Sequence, residues 1–80
     1  RNEIRLVNSH CQLSQDQFTH VSLLPLTMEV TGITLRGFMY PLEDATLRIG
    51  DTLGISNILV EQTGTIDVRT GQLLVIKSKD

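Results

Sequence analysis

Apolar and polar residues alternate along this chain in short stretches, and no window repeats its apolar positions at helical spacing. Residues 3–8 read as a first strand with Ile4, Leu6 and Val7 turned inward. Within the polar segment 9–17, Cys11 and Leu13 mark a second, short strand. The run 18–24 stops at Pro25, because proline cannot donate to a ladder. Residues 31–38 alternate with Ile33 and Leu35 on one face and Thr34 and Arg36 on the other. Glu43-Asp44 reads as a turn, and 45–49 as a strand with Leu47 and Ile49 on one face. Gly50-Asp51 turns the chain again, and residues 55–61 extend as another strand.

The end of the chain reads as a hairpin, 65–69 and 72–77 joined at Thr70-Gly71. A two-residue loop sets Val68 opposite Leu73 and Ile66 opposite Val75. A three-residue loop with Gly71 in a bulge is the alternative, because threonine is unfavourable at positive φ. Leu74 and Ile76 on the other face predict a last strand buried on both sides. About seven or more short strands separated by turns predict an all-β fold, an antiparallel β-sandwich.

Length and composition narrow this further. Eighty residues bound the chain to one domain, 1–80. Hydrophobic residues make up 40% and the aromatics are only Phe18, Phe38 and Tyr40, so the core is built from Leu, Ile and Val. The net charge of −2 comes without a basic stripe, which argues against nucleic acid as a partner. The apolar runs are too short to cross a bilayer, and no secretory signal pattern opens the chain. The single thiol, Cys11, cannot close an internal disulfide and fits a reduced, cytosolic setting. The opening Arg1-Asn2-Glu3 leads straight into a strand pattern, as expected of a segment cut from a longer protein.

Candidate chemistry is sparse. There is no P-loop: Gly50 to Gly54 lacks a lysine and no helix follows it. His10, Cys11 and His20 do not have metal-ligand spacing, and adjacency of His10 to Cys11 does not orient a base toward a nucleophile. Glu43-Asp44 reads as a solvated turn rather than an acid–base pair. Tyr40, Ser56 and Asn57 remain, with the glycines around them. The Tyr40 ring could stack on a flat heterocycle or a cation, or cover the edge of the core. Ser56 and Asn57 could hydrogen-bond a ligand's ring nitrogens or amine, or satisfy nearby backbone.

At these residues the sequence resembles a known family, the C-terminal thiamine-binding domain of bacterial thiamine pyrophosphokinase (thiamine diphosphokinase). The phrases that carry the likeness are Val21-Ser22-Leu23-Leu24-Pro25-Leu26, then Val30-Thr31-Gly32-Ile33-Thr34-Leu35-Arg36-Gly37-Phe38-Met39-Tyr40-Pro41-Leu42. Thr46-Leu47-Arg48-Ile49-Gly50, Thr52-Leu53-Gly54-Ile55-Ser56-Asn57 and Gly71-Gln72-Leu73-Leu74-Val75-Ile76-Lys77-Ser78 follow in the same order. The resemblance implies an enzyme that moves pyrophosphate from ATP to thiamine, giving thiamine diphosphate and AMP. It implies that ATP and Mg²⁺ are held by an N-terminal α/β domain not present in this chain. It also implies a cytoplasmic homodimer, whose site forms between the nucleotide domain of one subunit and the sandwich of the other.

Carried over by motif, Tyr40 packs against the thiamine rings, and Ser56 and Asn57 bind the aminopyrimidine or shape the loop that does. Gly37 and Gly54 match glycines that permit close backbone approach. Met39 stands where a lysine is frequent and Asp51 where a serine is frequent; Asp51 either lies near the cationic thiazolium or caps a turn. Catalytic and metal-binding residues are not expected within this chain. Two other readings stay open: a non-catalytic β-sandwich that binds a small ligand or sugar, and a structural dimerisation module.

Overall fold

The computed structural model describes residues 2–16, 18–50 and 55–79. The alternating pattern becomes eight strands: β1 (Asn2–Val7), β2 (His10–Ser14), β3 (His20–Pro25), β4 (Glu29–Arg36), β5 (Leu42–Arg48), β6 (Ile55–Ile58), β7 (Thr63–Asp67) and β8 (Leu73–Ser78). They form two four-stranded sheets, one ordered β1-β8-β3-β6 and the other β2-β7-β4-β5. All pairings are antiparallel, as the sandwich expectation required.

Facing residues fill a single apolar layer between the sheets. Val7, Val21, Leu23, Leu73 and Val75 come from the first sheet. Leu13, Val30, Ile33, Leu35 and Ile66 come from the second. In β4 the inward positions Val30 and Ile33 are three apart rather than two, and the pairing with β5 shifts register between them. Gly32, at a φ of 65°, lies in this irregularity; the extra residue restores the inward alternation.

Several expectations change. Glu43 and Asp44 are not a free turn: they lie inside β5, where Asp44 has a φ of 51° beside the register shift. Aspartate tolerates this left-handed conformation better than most residues. Ile49 falls just past the end of β5 and is exposed, while Leu47 is buried. In β1 the inward residue is Val7. Ile4 and Leu6, at 63% and 57% exposure, lie on the outer face. Of the three residues expected inward only Val7 is; Ile4 and Leu6 alternate onto the opposite face.

The closing hairpin does not form. β7 lies in the second sheet between β2 and β4, and β8 in the first between β1 and β3. Thr70 and Gly71 make a corner between layers, with Thr70 bridged to Thr31. Val68 and Leu73 are both buried, but they belong to opposite walls of the core rather than to one ladder. Inward alternation is equally well satisfied by facing sheets and by paired strands, so it could not choose. β8 is fully buried on its inner face and half-buried on its outer one.

One cation sits on the inner side of β8. Lys77 is 4% exposed, and its Nζ donates to the Ser14 carbonyl and to Asp16 Oδ2, both at 3.1 Å. Asp16 also accepts from the Phe18 backbone N–H at 2.7 Å. That hydrogen bond first, then the Lys77 ammonium, holds its carboxyl below the usual aspartate value. A buried ammonium left without its carboxylate is the costly state.

Two predictions follow from the core. Leu23→Ala, at a fully buried position, should cost about 2–5 kcal/mol in urea unfolding. Because Asp16 is more acidic folded than unfolded, its contribution is complete above the unfolded aspartate pKa, about 3.9, and fades as pH falls through the lower folded value. Asp16→Asn should remove that acid-side loss, seen as a shallower fall of the urea midpoint with decreasing pH in that range.

Candidate functional site

After β4 the chain leaves the second sheet and runs along the edge of the first. Gly37 makes the change of direction with a φ of 86°. Its carbonyl accepts from Val60 and Glu61 N–H at 3.0 and 3.2 Å. A Cβ there would lie 2.6 Å from the Thr63 carbonyl oxygen, so only glycine lets the two backbones meet. Phe38 then bridges to Leu59, and Met39 N–H donates to the Ile58 carbonyl at 2.8 Å. Residues 37–40 thereby cover the outer edge of β6.

Tyr40 ends this segment. Tyr40 is 58% exposed, unlike the two phenylalanines, which are buried. Its backbone is held from the side by Asn57 on β6. Tyr40 N–H donates to Asn57 Oδ1 at 3.0 Å, and Asn57 Nδ2 donates to the Tyr40 carbonyl at 2.7 Å. Asn57 Oδ1 also accepts from Ile58 N–H at 2.9 Å. Two N–H groups converge on one end of the amide and a carbonyl on the other, which fixes its orientation. The side chain is 2% exposed, so these bonds are made away from water.

Ser56 lies elsewhere. Successive residues of a strand point to opposite faces, and on β6 Asn57 points inward while Ser56 is exposed. Ser56 pairs across the ladder with Ser22. The structure therefore brings Tyr40, Asn57 and Gly37 to one sheet edge and turns Ser56 to the outer surface. Gly54 and Asp51 lie outside the described residues. The strand alternation of Ser56 and Asn57 was visible in the sequence. The pairing of Asn57 with Tyr40 was not, because it depends on how residues 37–40 cross between sheets.

Immediately beyond Tyr40 is a hollow of about 350 Å³, open to solvent, lined by Leu35, Arg36, Pro41, Leu42 and Glu43. Leu35 supplies a buried apolar floor, and Arg36 and Glu43 put opposite charges at the rim. Sequence reasoning did not single out Arg36 or Glu43 as a pair across a hollow; the strand pairing of β4 with β5 is what brings them together.

Other candidate chemistry is not assembled. Cys11 is in the core, with Arg5 Nη1 3.7 Å from its sulfur. His10 Nδ1 lies 2.7 Å from Asp67 Oδ1, an exposed pair. Among the described residues no three His, Cys, Asp or Glu gather closely enough to hold a metal ion. Nor, among them, is any helix long and apolar enough to cross a membrane.

Residues 10–73 match the family described as thiamin pyrophosphokinase, vitamin B1 binding domain. The chain is 38% identical over 61 residues to thiamine pyrophosphokinase of Bacillus subtilis (strain 168), a match covering 76% of this chain and 28% of that protein. The crystal structure of thiamin pyrophosphokinase from Geobacillus thermodenitrificans superposes with a TM-score of 0.93 at 33% identity, over 99% of this chain and 38% of that one. The crystal structure of the Bacillus subtilis enzyme superposes at 0.90 with 32% identity, again over 99% and 38%. The chain thus spans well under half the length of these relatives.

The Gly37 crossing yields a stability test. Gly37→Ala should cost about 2–4 kcal/mol, left-handed strain plus overlap with the Thr63 carbonyl. Gly50→Ala, at a φ of 96° with no atom within 4 Å of the added Cβ, should cost only the strain, about 1–2 kcal/mol. Urea unfolding of the two variants separates the contributions.

Proposed function

The chain belongs to the family of thiamin pyrophosphokinase vitamin B1 binding domains, and on that basis we propose that it forms the thiamine-binding wall of a thiamine diphosphokinase. The observation that carries this reading is the family match across residues 10–73, which includes the whole Tyr40–Asn57 edge. In the full-length protein the hydroxyethyl oxygen of thiamine attacks the β-phosphorus of ATP. The bond from that phosphorus to the oxygen shared with the α-phosphate breaks. AMP leaves, the hydroxyl proton is lost and thiamine diphosphate forms.

This chain's part is recognition. Thiamine carries a permanent positive charge and a flat aminopyrimidine, and an exposed phenol ring on a fixed backbone offers a face for either. The adjoining hollow, lined by Leu35, Pro41 and Leu42 with Glu43 and Arg36, extends that surface. Gly54 joins this wall by the resemblance, Gly37 and Asn57 act on it by holding the Tyr40 segment in place, and Ser56, on the outer face of the same strand as Asn57, acts only through the shape of that edge. A hollow open to solvent fits half of a composite pocket, the other half being the nucleotide-binding domain of the partner subunit. The donor set here does not fit Mg²⁺, since the described acidic residues do not cluster. The family resemblance assigns ATP and Mg²⁺ to the region of the relatives outside the match. The single reduced thiol suits a cytoplasmic protein.

A homodimer accompanies this reading, and the outer face of the first sheet favours it. Ile4, Leu6, Leu24, Ile58, Leu74 and Ile76 lie there, in register across β1, β8, β3 and β6. The other described side chains on that face, His20, Ser22, Ser56 and Ser78, are neither acidic nor basic in the way of Lys or Arg. A contiguous apolar sheet face of this kind is typical of a buried interface.

Three outcomes test the proposal. Tyr40→Ala in the full-length enzyme should raise the KM for thiamine by about twofold to tenfold and leave the KM for ATP unchanged. Steady-state kinetics showing an unaltered thiamine KM would rule the reading out in favour of an assembly module. The isolated domain should show little heat on titration with thiamine and no transfer activity. Leu6→Lys in the full-length protein should shift sedimentation from dimer toward monomer.

A further inference from the structure

We infer that Asn57 is a positioning residue that never touches thiamine: its buried amide acts as a substitute peptide group, clamping both backbone polar atoms of Tyr40 and so setting the aim of the ring. The inference rests on the thiamine-binding reading of Tyr40. A strand neighbour would offer Tyr40 one carbonyl and one N–H, and the Asn57 side chain offers the same pair, Oδ1 at 3.0 Å and Nδ2 at 2.7 Å. Oδ1 is further occupied by Ile58 N–H at 2.9 Å, so both of its acceptor sites are in use. With 2% exposure, the amide presents no surface to a ligand.

The geometry explains why the residue type matters. Tyr40 lies beyond the last bridge of its segment, Phe38 to Leu59, and beyond the Met39–Ile58 hydrogen bond. Without Asn57, neither backbone group of Tyr40 has another partner among the described residues, and the ring would swing on an untethered peptide. Aspartate keeps the two acceptor contacts but meets the Tyr40 carbonyl with a second oxygen. Serine keeps neither span. A ring fixed before the ligand arrives spends less ordering entropy on binding.

The test is a double-mutant cycle in the full-length enzyme, read as thiamine KM and ATP KM. Asn57→Ser should raise thiamine KM by about twofold to tenfold in the Tyr40 background, with ATP KM unchanged. In a Tyr40→Ala background the same change should add less than about twofold, because the clamp then has no ring to aim. Asn57→Asp should fall between wild type and Asn57→Ser. Equal effects in both backgrounds would overturn the positioning role and assign Asn57 to direct contact. Tyr40→Ala with an unchanged thiamine KM would instead overturn the thiamine reading beneath it. Because replacing a buried amide also costs stability, the wild-type enzyme supplies an independent measurement. The Tyr40 N–H should exchange slowly with deuterated solvent before any thiamine is added, despite the exposed ring. Rapid exchange would overturn the clamp.

Discussion

A single apolar layer, shared between two sheets that exchange the chain at nearly every connection, governs this molecule. Only β4 and β5 are sequence neighbours that also pair; every other connection passes from one sheet to the other. Apart from β4 and β5, strands that are neighbours in sequence thus lie in opposite sheets across the core. The layer holds because every strand with a described burial pattern contributes inward residues at alternate positions, and the irregularities at Gly32 and Asp44 keep β4 and β5 in phase with it. With no helix among the described residues to cover a misphased sheet, the phase of each strand carries unusual weight.

The candidate site is a by-product of one such exchange. Where the chain passes from β4 toward the first sheet, Gly37 allows backbone to touch backbone, and the freed segment lies down along β6. Neutral hydrogen bonds hold that segment, and the hollow beside it mixes apolar Leu35, Pro41 and Leu42 with the opposite charges of Arg36 and Glu43. Such a site suits a ligand that brings its own charge and needs orientation more than activation.

Strand existence was largely legible in the sequence, and strand partnership was not. The period-two runs around Ile33 and Leu35, or Cys11 and Leu13, are strands with the expected residues buried. Partnership failed at residues 65–77 because Val68 and Leu73 satisfy the same inward pattern whether paired or opposed. Phase failed for Ile4 and Leu6 in β1, which are apolar yet face outward, so apolar character there did not mark the core. At the site, Tyr40 stood out as the lone tyrosine, and the resemblance marked Asn57. The bland reading of Asn57, satisfaction of backbone, and the functional one turn out to meet in a single set of hydrogen bonds, whose partner lies seventeen positions away by number and adjacent in space.

The place of β8 has a consequence for how the domain comes into being. It is the last of the described strands, yet it sits between β1 and β3 and is, among the described residues, the only strand that pairs with β1. A ribosome must therefore deliver residues 73–78 before the first sheet can close, and the earlier strands wait with apolar faces uncovered. Closing that sheet is thus a pairing between strands far apart in the chain, and long-range closure of this kind slows folding.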